Sequence, residues 1–201
     1  MKKKGLALVL ALTLLVVGAA GGTLAWLTAK SDPVVNTFTT SDIGVTLKET
    51  TGSEYKMIPG WTIQKDPKVT VTTGSEECYL FVKLDKSSNF DIYLEYTVDT
   101  TSTDKWTKLV DASVTDEVYY RIVHTADMGK EYSVLSGDTV TVKGTVTKEM
   151  MNALGTGEGK QPLPTLTVTA YASQLYKGNT GEGGALVSFT ALEAWKNIST
   201  K

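Results

Sequence analysis

The sequence predicts an all-β fold, a two-sheet, jelly-roll-like sandwich with a short C-terminal helix. Short segments in which apolar and polar residues alternate recur along the chain, which is typical of half-buried strands. Turn signals containing glycine, proline and serine separate these segments. Threonine and valine, which favour strands, are frequent, and few segments have helical spacing.

Seven to nine short segments are interpreted as strands, and residues 131–135 are the optional edge strand among them. They cover residues 43–47, 61–65, 69–71, 78–84, 92–98, 118–123, 131–135, 140–146 and 166–172. In the fourth segment every second residue from Cys78 to Leu84 is apolar, and Tyr79 and Phe81 lie on the other face. We therefore expect this strand to be covered on both sides. Residues 106–109 are predicted to be a loop or a single helical turn.

Two segments have the features of helices. Thr147 is placed to cap a short helix that runs through Leu154 and that Gly155 would end. Near the C-terminus, apolar residues recur at every third position, which places them on one helical face. They are Phe189, Leu192, Trp195 and Ile198. We expect this amphipathic helix to pack on the sandwich through its tryptophan.

The N-terminus has the three-part layout of a secretory signal. Lysines occupy positions 2–4, residues 5–20 are apolar apart from one threonine and two glycines, and small residues follow. Cleavage is predicted between Ala25 and Trp26, and cleavage after Ala29 is the second choice. The alternative is a retained anchor, since residues 5–29 carry no charge and are long enough to span a bilayer.

The chain is therefore divided into a signal peptide (1–25), an extended N-terminal segment (26–40) and a β-sandwich domain (41–201). Loss of the signal removes three of the 20 basic residues and none of the 22 acidic ones, so the mature chain is mildly acidic. Arg121 is the only arginine. This charge balance argues against nucleic acid as a partner.

The residues that catalysis needs are scarce. His124 is the only histidine, which excludes two-histidine zinc motifs within one chain. Cys78 is the only cysteine; no intramolecular disulfide can form, and its place in an alternating strand favours a buried apolar role. There is no G-x-S-x-G motif and no calcium loop, and the glycine-rich residues 155–160 lack the spacing of a phosphate loop. We predict no enzyme activity, no catalytic residue, no metal site and no cofactor.

Several short pieces in order carry a resemblance to a known family. They are Gly22-Thr23-Leu24-Ala25-Trp26-Leu27-Thr28 followed by Asn36-Thr37-Phe38-Thr39; Ile58-Pro59-Gly60, Lys65-Asp66-Pro67 and Val69-Thr70-Val71; Cys78-Tyr79-Leu80-Phe81-Val82-Lys83; and Glu193-Ala194-Trp195. This order resembles the secreted proteins with a SipW-dependent signal peptide, the TasA, CalY and camelysin group of Gram-positive bacteria. The match covers the signal, the first third and the extreme C-terminus.

The resemblance implies a jelly-roll-like sandwich, processing by a dedicated signal peptidase, and assembly into fibres of the extracellular biofilm matrix. Some members were named as metalloproteases, but the zinc signature is absent here. Cleavage would free an extended segment that could add as a strand to the sheet edge of a neighbouring copy. Its assembly residues are predicted to be Trp26, Leu27, Val34, Val35 and Phe38.

The expected partners are a signal peptidase and other copies of the chain or related matrix subunits, with the membrane contacted only through the uncleaved signal. The expected location is secreted, in the extracellular matrix or at the cell surface. The alternative function is a monomeric cell-surface adhesin or carbohydrate-binding sandwich, in which Trp61, Trp106 and tyrosines would stack on sugars.

Overall fold

Strands account for most of the regular structure in the computed structural model, which describes residues 42–52, 54–101, 105–179 and 184–199. The described strands are β1 (Val45–Lys48), β2 (Thr62–Gln64), β3 (Lys68–Val71), β4 (Cys78–Lys86), β5 (Leu94–Glu95), β6 (Thr107–Lys108), β7 (Glu117–Val123), β8 (Tyr132–Ser133), β9 (Thr139–Val142), β10 (Leu166–Gln174), β11 (Tyr176–Asn179) and β12 (Leu186–Ser188). The described α-helices are α1 (Phe90–Tyr93), α2 (Lys148–Asn152) and α3 (Ala191–Ser199).

The strands form antiparallel sheets that pack into an all-β sandwich, as predicted. One layer is the four-stranded sheet β10-β4-β7-β6. The opposite layer consists of two three-stranded sheets, β1-β3-β8 and β2-β9-β5. The main core lies between the layers and holds apolar side chains from β3, β4, β5, β7, β8 and β9. Strands β11 and β12 form a separate two-stranded ribbon. The jelly-roll order of the strands stays a prediction.

Strand β4 is covered on both faces, as the two apolar sets in its sequence predict. Cys78, Leu80 and Val82 are fully buried in the main core. Tyr79 and Phe81 point to the other face and belong to a second core. Its two neighbours, β7 and β10, pair with it along most or all of its length.

The second core lies between the outer face of this sheet and helix α3, confirming the predicted C-terminal helix. Thr190 and Glu193 form a reciprocal cap: the Thr190 N–H donates to the carboxylate (2.8 Å) and the Glu193 N–H donates to the threonine hydroxyl (3.3 Å). Trp195 is buried, with its ring 5.4 Å from Phe81 and 5.5 Å from Tyr171. The helix therefore covers the apolar outer face of β4 and the Tyr171 side chain of β10.

Some sequence predictions are wrong in part, and one of them is the strand over residues 140–146, because β9 ends at Val142. Within residues 92–98 only Leu94–Glu95 is a strand, because Phe90–Tyr93 forms one helical turn that leaves Ile92 exposed. Residues 106–109 are neither a loop nor a helical turn, since Thr107–Lys108 pairs with β7 as an edge strand. The β11–β12 ribbon was not predicted at all. By contrast, Thr147 caps α2 as expected, because its hydroxyl accepts the Met150 N–H.

Candidate functional site

The free edge of β10 is the candidate site, because it is a long sheet edge that nothing in the described part of the chain pairs with. Strand β10 has nine residues and pairs with β4 on one side; β1 lies near it without pairing with it, and no other described strand pairs with its second edge. Its sequence, LTVTAYASQ, contains no charged residue, no proline and no glycine. Natural proteins usually protect sheet edges with lysine, proline, bulges or short strands, and β10 has none of these devices.

The other described edges of the two layers are protected in the usual ways. Strands β5, β6 and β8 have two residues each and β2 has three. Strand β1 has four residues and ends in Lys48. Short strands offer few backbone groups to another chain, and a lysine must be desolvated when a strand adds beside it. Among the described edges of these layers, β10 is thus the one suited to accept a strand.

The register of β10 shows which of its backbone groups point outwards. Pairing with β4 runs without a bulge, and it continues at both ends, where the Ser87 N–H donates to Thr165 O and the Leu175 N–H donates to Glu77 O, each at 3.0 Å. Hydrogen-bonded and non-bonded residues alternate in an antiparallel pair. The odd-numbered residues of β10 therefore bond to β4. The even-numbered residues, from Leu166 to Gln174, direct their N–H and C=O groups to the free edge.

The two faces of β10 differ in chemistry. The even-numbered side chains are apolar up to position 172 and pack on the margin of the main core; they are Leu166, Val168, Ala170 and Ala172. The odd-numbered side chains lie on the other face; they are Thr167, Thr169, Tyr171 and Ser173. Two of the core-facing residues, Ala170 and Ala172, are half-buried alanines.

A cavity of about 660 Å³ opens beside the first residues of β10. Its wall combines residues of the sheet β2-β9-β5 with residues 163–167, so it lies in the seam between the two layers. The apolar part of the wall is formed by Met57, Ile63, Phe90, Leu94, Val140, Leu163 and Leu166. Several of these side chains belong to or pack against the main core. The cavity is therefore an incompletely filled margin of that core.

Hydrogen bonds to the Asp66 carboxylate hold the loop that borders this cavity. The buried Asp66 carboxylate accepts hydrogen bonds from the N–H and hydroxyl groups of both Thr50 and Thr51, at 2.6–3.1 Å. The Thr50 hydroxyl and N–H contribute most to a pKa of Asp66 well below its usual range. Lys65, on the cavity wall, pairs with Glu49 at 2.8 Å. Asp66 of the Lys65-Asp66-Pro67 segment thus fixes the loop as an anion at neutral pH.

Chemically reactive side chains are not gathered at this edge. Cys78 is fully buried, as its place in an alternating strand predicts, and burial raises the pKa of its thiol to about 11. His124 lies after β7 in a turn and contacts Glu77, 3.3 Å from Nδ1 to Oε2. The described residues include no group of three or more histidine, cysteine, aspartate or glutamate side chains that could hold a metal ion.

The residues predicted for processing and assembly lie outside the described residues. These are the cleavage pair Ala25 and Trp26 and the assembly residues Leu27, Val34, Val35 and Phe38, so their predicted roles stay predictions. The described chain begins at Asp42, whose carbonyl accepts the Glu76 N–H at 3.2 Å. Sequence reasoning predicted a donor segment but did not predict the free edge of β10. The sequence feature that could have pointed to this edge is the absence of charge in residues 166–174, in contrast to the charged residues 83–86 of β4.

No family model, curated protein or solved structure matches this chain. The resemblance of the sequence to the TasA, CalY and camelysin group therefore stays a prediction. In the described part of the chain, no helix has the length and apolar character needed to cross a membrane.

Proposed function

We propose that the protein is a secreted, non-enzymatic structural subunit of extracellular biofilm matrix or surface fibres, and that it assembles by strand donation. Residues 26–40 of one copy would add as a strand to the free edge of β10 in the next copy. The observation that carries this proposal is the nine-residue, uncharged edge of β10, whose even-numbered residues direct their backbone groups outwards. Strand addition of this kind takes affinity from backbone hydrogen bonds and specificity from alternate side chains.

Backbone hydrogen bonds alone would not hold such an assembly together. Each hydrogen bond contributes a net stabilisation of about 0.5–1.5 kcal/mol. Ordering each residue of a flexible donor costs about 1–2 kcal/mol. With about one new bond for each ordered residue, the two terms nearly cancel. The net affinity must come from apolar burial, which the cavity beside β10 can accommodate.

The donor assignment follows from chain position. Cleavage between Ala25 and Trp26 by a signal peptidase would release the segment from the membrane, so assembly would begin only after export. The segment carries the apolar residues that a sheet edge can bury: Trp26, Leu27, Val34, Val35 and Phe38. Pro33 has no N–H, and an added edge strand or hinge tolerates this better than a central strand. The partners are then further copies of this chain or related matrix subunits, without cofactors.

Deletion of residues 26–36 tests the proposal. The truncated protein should stay folded, because the described strands of the sandwich begin at Val45. It should form no polymers by negative-stain electron microscopy, since most of the donor is lost and the β10 edge remains. A free peptide of residues 26–40 should slow the assembly of the intact protein. Identical fibres at the same concentration would contradict strand donation, and unfolding would mean that the segment belongs to its own subunit's sheet.

A monomeric carbohydrate-binding or adhesin role is the second candidate, and one observation favours it. Trp61 is 63% exposed beside the Pro59-Gly60 turn, where an indole could stack on a sugar ring. Trp106 cannot contribute to such a site, because it is only 1% exposed and its Nε1–H donates to Ser133 O at 2.8 Å. Glycan binding by a monomer, lost in Trp61→Ala and kept when residues 26–36 are deleted, would favour this role.

A further inference from the structure

On the basis of the strand donation proposed above, we propose that the cavity beside β10 is the seat of the Phe38 ring from a second copy of this chain. The cavity has apolar side chains of both layers in its wall, beside the polar Glu54, Lys65, Thr165 and Thr167, and it opens at the beginning of β10. Phe90, one of its wall residues, is only 1% exposed, so the cavity reaches the main core itself. An aromatic ring placed there would complete the core and fix the register of the donated strand.

The alternation of the donor segment selects Phe38 for the core-facing side. In a strand over residues 34–39, Val34 and Phe38 lie on one face with Asn36, and Val35, Thr37 and Thr39 lie on the other. Strand β10 has the same division, with apolar residues towards the core and threonines on the other face. Aligning like faces places Phe38 towards the seam and Thr37 and Thr39 beside the threonines of β10. Phe38 is the largest side chain on its face.

Chain length shows that the ring must come from another copy. The Asp42 carbonyl is hydrogen-bonded to Glu76, which lies two residues before Cys78. Cys78 pairs with Gln174, the last residue of β10, so Asp42 lies at the end of β10 that is far from the cavity. The cavity lies at Leu166 and Thr167, seven or eight residues along the strand, or about 23–27 Å away. The four residues from Asp42 back to Phe38 span at most about 14 Å. A chain therefore cannot place its own Phe38 in its own cavity.

Crosslinking between two variants tests this contact directly. Protein carrying Phe38→Cys is mixed with protein carrying Leu163→Cys, and a short bis-maleimide is added. Leu163 lines the cavity and is 58% exposed, so a thiol there is accessible, whereas the native Cys78 is fully buried and does not compete. We expect covalent dimers from this pair and few from the matched pair of Val35→Cys with Leu163→Cys. Equal yields from both pairs would overturn the assignment.

The double variant Phe38→Cys/Leu163→Cys supplies a second measurement. In dilute solution, where copies do not meet, we expect no crosslink within one chain. A crosslink within the monomer, seen as faster migration without dimer, would contradict the reach calculation and overturn the proposal.

Truncation of the ring separates this inference from strand donation itself. Phe38→Ala should raise the concentration needed for assembly about tenfold or more, and Val35→Ala about threefold or less, with unchanged monomer melting temperatures. If the two variants behave alike while loss of residues 26–36 still abolishes assembly, strand donation stands and the Phe38 anchor is wrong. If the loss of residues 26–36 has no effect on assembly, both proposals fail.

Discussion

Proline substitution at Ala170 tests the outward-facing backbone of β10 without removing a hydrogen bond between β10 and β4. The Ala170 N–H points to the free edge, while Thr169 pairs with Lys83 and bonds to β4. Proline removes one N–H and fixes φ near −65°, which edge strands tolerate. We therefore expect Ala170→Pro to keep the monomer folded, with a melting temperature within about 2 °C of the parent.

The same change should weaken assembly at every interface. A donated strand would bury a carbonyl opposite Ala170 without its N–H partner, which costs about 1–3 kcal/mol. That cost corresponds to a rise of roughly 5- to 150-fold in the concentration needed for assembly. The assay is light scattering over a dilution series, with electron microscopy to confirm that the scattering particles are fibres.

Thr169→Pro is the matched variant one residue away. It removes the bond to β4 and leaves the Lys83 carbonyl unpaired inside the sheet, so the cost of about 1–3 kcal/mol falls on the monomer. Its melting temperature should drop by about 2–12 °C. Unchanged assembly in Ala170→Pro, or equal destabilisation of the monomer by both variants, would refute the assignment of outward and inward residues.

Four further outcomes follow from the core, the polar contacts and the side-chain inventory. Trp195→Ala should lower the free energy of unfolding by about 3–5 kcal/mol in a denaturant titration, because the indole is buried between β4, β10 and α3; a loss below about 1 kcal/mol would contradict this packing. Leu80→Asp places an unpaired carboxylate in the main core and should prevent recovery of folded secreted protein, and a normal yield with the parent's melting curve would show the burial to be wrong. Hydrogen bonds from the Thr125 N–H and the Tyr176 hydroxyl lower the pKa of Glu77 from its ordinary 4.5 to about 2. Glu77→Gln should therefore destabilise the protein above pH 4.5 and progressively less as the pH falls to about 2, and a pH-independent difference in melting temperature would contradict this linkage. Zinc chelators should leave the melting curve unchanged, since one histidine and one cysteine cannot form a closed zinc site, and a stoichiometric zinc ion in purified monomer would contradict that.

The strands and the helix that could be predicted are those whose local sequence pattern agrees with their tertiary environment. In β4 the two apolar sets correspond to two cores, and in α3 the three-residue spacing corresponds to one buried face. The predicted strand over residues 92–98 was wrong in part because a short apolar alternation does not distinguish a strand from one helical turn. Here the Phe90 N–H bonds to Ser87 O, and the turn that follows leaves only Leu94–Glu95 for pairing.

The free edge of β10 could not be predicted because strand neighbours are set by long-range contacts. The alternation in residues 166–172 predicts a strand, but it does not say that β4 lies on one side and that no described strand lies on the other. The β6 edge strand was missed for a related reason: its two residues are polar and exposed, and they pair because Trp106 beside them is anchored in the core. The cavity depends on side chains from both layers, which no local pattern brings together.

Hydrogen exchange at single amides of β10 tests strand donation most directly. In the monomer, the N–H groups of Val168, Ala170 and Ala172 point to the free edge and should exchange fast, while that of Thr169 is bonded to β4 and should exchange slowly. In assembled protein we predict that the three edge amides become as protected as Thr169, and that the amides of residues 34–39 gain protection with them. Fibres in which Val168, Ala170 and Ala172 still exchange at their monomer rates would contradict strand addition at this edge.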